Sequence, residues 1–264
     1  AAAGGGAQRH PAVLDVTVTS DSPWLLALDA STSHSVLVLG RRSEGADAAL
    51  LTDVHDDRAG SASTRLHERI AALLVAAGLD DARALGTLAC GRGPGTFTGT
   101  RVAVATAKGL ALGLDLGVVP CSTLAAIAAT HDTDDEVLAV MDARRGDVYA
   151  ARYRLHGGLP HALTEECCVA AAELAPLSEG VAIAAGPGLV AATAGLPDTL
   201  PRLSVAGPSP RGLWRAALAA GAPRPAGELQ AVYLRESYAE LGLNTPRRPP
   251  FRNPLLPPAD TGST

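Results

Sequence analysis

Apolar residues along this chain come in short runs broken by glycine, proline and small polar clusters, and the period of the runs changes. Residues 25–28 (LLAL) form an apolar run ending at Asp29, a polar turn occupies 31–34, and residues 36–39 (VLVL) form a second run. Two such runs across a short polar turn predict a β-hairpin, and residues 48–55 are expected to add a third strand. The period then lengthens. Leu66, Ile70, Leu73, Leu74 and Ala77 recur at i, i+4, i+7, i+8 and i+11, one face of a helix predicted over residues 61–77. Gly78 is placed as its C-terminal cap. A buried strand is expected at 85–91 (LGTLACG), then a glycine-rich turn, then a helix over 98–114.

The second half repeats this plan. Residues 137–141 form an apolar run ending at Asp142, the turn ARRGD leads into 148–153, and the apolar run 181–185 enters Gly186, Pro187 and Gly188. Both halves therefore read strand, Asp, turn, strand, and later strand followed by Gly-Pro-Gly. The Asp-to-Gly-Pro-Gly separation is 64 residues in the first half and 44 in the second. Two duplicated α/β lobes, residues 23–118 and 119–242, are expected to face each other across a cleft, the natural place for a ligand. The last helix of the second lobe has the option of packing back on the first. Residues 1–22 read as a poorly ordered leader without the apolar segment of a signal peptide. Residues 243–264, with six prolines from Pro246 to Pro258, read as an extended or disordered tail.

The sharpest local signal is GRGPGTFTGTR at residues 91–101. A glycine-rich turn entering a helix exposes backbone N–H groups beside a positive helix end, and together they suit an anion. Thr96 and Thr98 add hydroxyls and Arg101 adds a fork of donors. The spacing and lysine of a Walker loop are missing, and the pattern is not G-x-G-x-x-G. A tight strand-to-helix connection needing positive φ explains the glycines equally well. Asp29 with Ser31 and Thr32, and Asp142 in the other half, are candidates for a hydrated Mg²⁺ beside a phosphate; each is also suited to cap its own turn. The candidate nucleotide-binding residues are thus Asp29, Ser31, Gly93, Gly95 and Thr96. The helix after the turn is apolar nearly all round and rich in small residues, so it must be covered on most sides, by its own lobe or by a second protein.

Composition narrows the classes. The formal charge is −5, which argues against a protein that grips nucleic acid unaided, since that requires clustered Lys and Arg. Aromatic residues make up 3% of the chain, so Ala, Val and Leu must build the core. Cys90, Cys121, Cys167 and Cys168 lack a C-x-x-C spacing and read as buried thiols in a reducing cytosol. Neither H-E-x-x-H nor H-x-x-x-H occurs among the seven histidines, and no G-x-S-x-G elbow appears. No catalytic residue and no metal ligand is assigned, and no membrane span is expected.

Three segments, LLALDAST, GRGPGTFTGTRVAVATAKGLAL and VMDARRGDVYAARY, resemble the TsaB (YeaZ) family. The family's turn usually reads GPGSFTGLR, so Thr96 stands for Ser and Thr100 for Leu. The helix before it commonly begins with a His-Ser pair, where this chain has Ala62 and Ser63. The resemblance implies a two-lobed α/β fold of the actin/Hsp70/sugar-kinase type, built from duplicated ribonuclease-H-like domains. It implies a cytoplasmic, non-catalytic subunit that pairs with the enzyme TsaD in N6-threonylcarbamoylation of the adenosine following the anticodon (t6A) in tRNAs reading ANN codons. By the same resemblance TsaE is expected to join that complex, tRNA to be met through it and homodimers to use the same face; no cofactor of the chain's own is expected, and the complex interface is the expected place for any ATP or ADP. The first-lobe helices are the expected contact surface, with Leu66, Ile70, Leu73, Thr98, Arg101, Val102 and Ala105 as candidate interface residues. An ATP-dependent kinase or acyl-phosphate enzyme of the same fold, using Asp29 and Asp142 for Mg²⁺-ATP, is the alternative. A peptidase lacks a motif to support it.

Overall fold

The computed structural model describes residues 22–57 and 65–235. The expected leader up to residue 21, the predicted helix start at 61–64, the end of the second lobe at 236–242 and the proline-rich tail lie outside the described residues. The chain divides into the units Ala1–Leu234 and Arg235–Thr264, and the first holds every element below.

The first half contains β1 (Trp24–Asp29), β2 (His34–Arg41), β3 (Leu51–Asp56), α1 (Leu66–Ala76), β4 (Thr87–Gly91), α2 (Phe97–Leu114) and β5 (Val118–Cys121). Its sheet runs β3-β2-β1-β4-β5. β2 is antiparallel to β1 and β3, while β4 and β5 run parallel to β1. After α3 (Thr123–Ala128) come β6 (Glu136–Arg144), β7 (Asp147–His156), β8 (Leu159–Ala162), β9 (Cys167–Ala170), α4 (Ala175–Ser178), β10 (Ile183–Ala185), β11 (Arg202–Leu203) and α5 (Pro210–Ala219). The second sheet runs β11-β10-β6-β7-β8, with β9 also on β7. Its hairpin β6–β7 is antiparallel, and β10 and β11 are parallel to β6. Both sheets therefore use one order: the first strand central, its hairpin partner on one side, two parallel strands on the other. This is the ribonuclease-H-like arrangement, present twice.

Side-chain alternation explains the uninterrupted apolar runs, because the central strands are buried on both faces. Leu26 and Leu28 of β1 and Leu37 and Leu39 of β2 meet α1 and α2 on one face. Leu25, Ala27, Val36 and Val38 meet Leu213, Trp214 and Ala217 of α5 on the other. In the second sheet, Val137, Ala139 and Tyr153 pack on Leu124 and Ile127 of α3, while Leu138, Val140 and Val148 face Leu174, Leu189 and Leu196. Because α3 and α5 also pack on each other, they form a helical layer between the sheets. With few aromatics available, the α2 core positions are Ala103, Ala107 and Ala111, which let the helix approach its sheet closely. Two cysteines depart from expectation: Cys90 and Cys121 are buried, but Cys167 and Cys168 are only half-buried, because β9 is a short strand at the edge of its sheet.

α5 is the clasp of the assembly. The Ser209 hydroxyl accepts from Gly212 N–H at 2.9 Å and Pro210 occupies the first turn, a strong start signal. Trp214 is wholly buried on the first sheet, and its indole N–H donates to the Gly45 carbonyl at 2.8 Å. Arg211 donates to the carbonyls of Ala46 and Ala48 at 3.0 and 2.9 Å. Truncation of Trp214 to alanine is expected to cost about 3–5 kcal/mol, read as a lower denaturant midpoint at unchanged slope. A loss below about 1 kcal/mol would mean that this contact does not hold the halves together.

Candidate functional site

Asp29 ends β1. The parallel register that sets Leu28 against Cys90 brings Gly91 beside Asp29. A Cβ at residue 91 would lie 1.9 Å from Asp29 Oδ2, so glycine leaves a hollow there and the carboxylate fills it. Asp29 Oδ1 accepts from Ser31 N–H at 2.6 Å, and Oδ2 accepts from the Thr123 hydroxyl at 2.7 Å. The residue is 1% exposed. Burial pushes its carboxyl above the usual range, opposed in part by the bonds from Thr123 and Ser31. The nearby thiols of Cys90 and Cys121 are pushed up as well, chiefly by burial and then by neighbouring charge. A carboxylate sealed in this way, with both oxygens committed, offers no face to a hydrated cation.

The glycine-rich turn closes over the same point. Gly93 has φ +92°, and its peptide bond to Pro94 is cis. Thr96 N–H donates to the Ser31 carbonyl at 2.7 Å, and Thr123 N–H donates to the Gly93 carbonyl at 2.9 Å. A Cβ at residue 95 would lie 2.2 Å from the Ser31 carbonyl oxygen. Thr96 caps α2, its hydroxyl accepting from Gly99 N–H at 3.3 Å. The structure thus brings Asp29, Ser31, Gly93, Gly95 and Thr96 together as a packed knot, of which Thr96 alone is exposed. The geometry is that of a close strand-to-helix connection with the Thr96 and Gly99 amides already satisfied within the chain.

The second half repeats the motif more loosely. Asp142 Oδ1 accepts from Arg144 N–H at 2.7 Å, the same i to i+2 bond that Asp29 makes. Gly188 N–H donates to the Val140 carbonyl at 3.1 Å, docking its turn on β6. The Asp142 side chain remains accessible, however, and pairs with the Arg144 guanidinium at 3.4 Å. The joint between the halves lies at Ser122 and Thr123. Thr123 reaches Asp29, while the Ser122 hydroxyl caps α3 and donates to Glu166, which also accepts from Tyr153 OH at 3.0 Å. Burial and the Glu166 charge push the Tyr153 phenol up, so it stays a donor. Among the described residues no group of three His, Cys, Asp or Glu is placed to hold a metal ion.

The candidate interface residues separate into two sets. Leu66, Ile70 and Leu73 belong to the core. They are the stripe that α1 turns to its own sheet, so as placed they offer no contact surface; its outward residues are His67, Glu68, Ala71, Ala72, Val75 and Ala76. On α2, Thr98, Arg101 and Ala105 point outward, while Val102 is half-buried against the core. Phe97 and Tyr233, absent from the sequence expectations, stand beside Arg101. Thr123 was also missed. Its bond to Asp29 spans 94 residues of chain, and no local pattern signals it.

Substitution of Asp29 tests the knot. A carboxyl raised above its unfolded value of about 3.9 adds stability that is complete below that pH and is lost as pH rises through the folded value. Asp29→Asn keeps partners for Ser31 and Thr123, so it is expected to flatten this loss and to gain on the wild type as pH rises above the unfolded value. Asp29→Ala orphans two buried donors at about 1–3 kcal/mol each. Chemical denaturation across pH separates these outcomes. Equal damage from both variants at high pH would show that the ionised carboxylate is needed.

A family profile described as "TsaD: tRNA N6-adenosine threonylcarbamoyltransferase" matches residues 59–185. The Haemophilus influenzae "tRNA threonylcarbamoyladenosine biosynthesis protein TsaB" is 38% identical over 129 residues, 47% of this chain and 51% of that protein. The chain thus spans about half the length of that relative, and 32% of the Escherichia coli TsaB. An uncharacterized protein of Mycobacterium tuberculosis is 31% identical over 82% of this chain and 93% of its own length. The solved structure of YeaZ from Pseudomonas aeruginosa superposes with a TM-score of 0.67 at 29% identity, covering 80% of this chain and 99% of that one. With the duplicated topology and the packed glycine turn, these similarities show that the chain belongs to the TsaB (YeaZ) family.

Proposed function

We propose that this chain is a non-catalytic subunit in the synthesis of t6A, the threonylcarbamoyl modification of the adenosine following the anticodon in tRNAs reading ANN codons, and that it acts in the cytoplasm by pairing with the catalytic subunit TsaD. The names of its TsaB relatives supply the pathway. The observation that carries the non-catalytic reading is the sealed carboxylate of Asp29. Where a phosphate-handling relative of this fold would need an open acidic group, the hollow beside Gly91 is filled by the protein's own side chain. A kinase or acyl-phosphate enzyme would need Asp29 to reach a cation, and both of its oxygens are already committed. ATP or ADP, TsaE and tRNA belong in this reading to the assembled complex.

Pairing is supported by the outer face of α2. Thr98, Arg101, Ala105, Gly109 and Leu112 are exposed along one side of this 18-residue helix, and Leu112 is 74% exposed. Small residues at its centre permit close approach of another helix.

Purified alone and given threonylcarbamoyl-adenylate and tRNA, the chain is expected to make no t6A. Added to a TsaD, it is expected to raise the initial rate of t6A formation by about tenfold or more, equivalent to about 1.4 kcal/mol in the apparent barrier. Ala105→Glu, on the exposed side of α2, is expected to abolish co-purification with TsaD while leaving the melting curve unchanged, because it would bury an unpaired charge only in the complex. Robust synthesis by the isolated chain would overturn the reading.

A further inference from the structure

α2 carries two charges, Arg101 and Lys108, and no acidic residue between Phe97 and Leu114. Arg101 is built into a cluster. Its guanidinium carbon lies 3.6 Å from the centroid of the Phe97 ring and 5.7 Å from that of Tyr233, and its Nε donates to Tyr233 OH at 2.9 Å. The rings are 5.8 Å apart, and Phe97 and Tyr233 are 51% and 50% exposed. Tyr233 is held in turn by its neighbour, because Val232 N–H donates to the Arg92 carbonyl at 2.8 Å. Among the described residues Arg101 makes no ion pair, and its two terminal nitrogens make no hydrogen bond.

An exposed arginine normally loses rotamer freedom when it binds. Here that freedom is already spent, since a ring lies along the guanidinium and a phenol fixes one edge. The remaining N–H fork matches a carboxylate or a phosphate. Two features favour a protein carboxylate over RNA. Beyond the cluster, the face continues as Ala105, Gly109 and Leu112, which suits a packed helix and not a polyanion. The Phe97 face turned toward Arg101 is also covered by the guanidinium, which removes one stacking platform for a base. A second copy fits poorly: crossing α2 on its own equivalent brings Arg101 and Lys108 toward like charges.

We propose that Arg101, clamped by Phe97 and Tyr233, receives a carboxylate of the partner chain, and that this charge makes α2 select a different protein over a second copy. The inference rests on the pairing reading and names the chemistry the partner's surface must carry: an Asp or Glu opposite Arg101, and small residues opposite Ala105 and Gly109. Tyr233 is a positioning residue for this contact.

The test is titration calorimetry of the full chain and its variants against TsaD at several salt concentrations, with melting curves as a check on folding. Arg101→Gln is expected to weaken binding about tenfold or more and to flatten its salt dependence, as loss of an interfacial ion pair does. Arg101→Lys, which keeps the charge without the fork, should restore the salt slope but not the affinity. Tyr233→Phe should weaken binding by a smaller factor. If the wild type binds and Arg101→Gln binds within about twofold with the same salt slope, the anchor is overturned and pairing stands. If the wild type fails to bind, the pairing reading falls and takes the anchor with it. Loss of tRNA retention by the complex with unchanged TsaD affinity would assign the guanidinium to RNA phosphate. Self-association of the wild type that Ala105→Glu abolishes would assign the face to a second copy. Either result overturns the proposal.

Discussion

The carboxylate of Asp29, held between the Ser31 amide and the Thr123 hydroxyl in the hollow left by Gly91, is the point on which the rest of the structure turns. Three separate stretches of chain converge there: the end of β1, the glycine-rich turn entering α2, and the first residue of α3. A buried carboxyl is costly unless its oxygens are satisfied, and two donors from different elements satisfy this one. The arrangement fixes where α2 starts, and therefore which of its residues face outward.

The two halves solve one geometric problem with different chemistry. Asp29 and Asp142 both fold a hairpin turn by accepting the amide two residues on. The first is enclosed and spends its second oxygen on Thr123; the second stays accessible and spends it on an arginine. Divergence after duplication accounts for this. The first-half turn precedes an 18-residue helix that must be seated on its sheet, whereas the second-half turn runs into a short 3-10 segment at Ala191–Gly195.

Much of the architecture was legible in the sequence because local periodicity reflects burial. The runs at Leu25 to Leu28 and Val36 to Leu39 are strands buried on both faces. The i, i+4, i+7 stripe of Leu66, Ile70 and Leu73 is a helix face. The same stripe also misled: an apolar face records burial but not by what, and here the cover is the chain's own sheet. Asp29, Ser31 and the turn were identified as neighbours, yet whether a carboxylate at a strand end is open or sealed depends on Gly91 and Thr123, which are far apart in sequence. The Phe97, Arg101 and Tyr233 cluster was invisible for the same reason, since its hydrogen bond joins residues 132 apart.

The position of α5 has a consequence for how the protein is made. One whole face of the first sheet, including Leu25, Ala27, Val36 and Val38, is covered by Leu213 and Trp214. During synthesis the first five strands leave the ribosome long before their cover does. Until then they present an apolar sheet surface of the kind that recruits chaperones or aggregates. The first half is thus a domain by topology but not by birth order. Its core closes only when α5 arrives, and the high sequence separation of these contacts makes that closure a late and slow step.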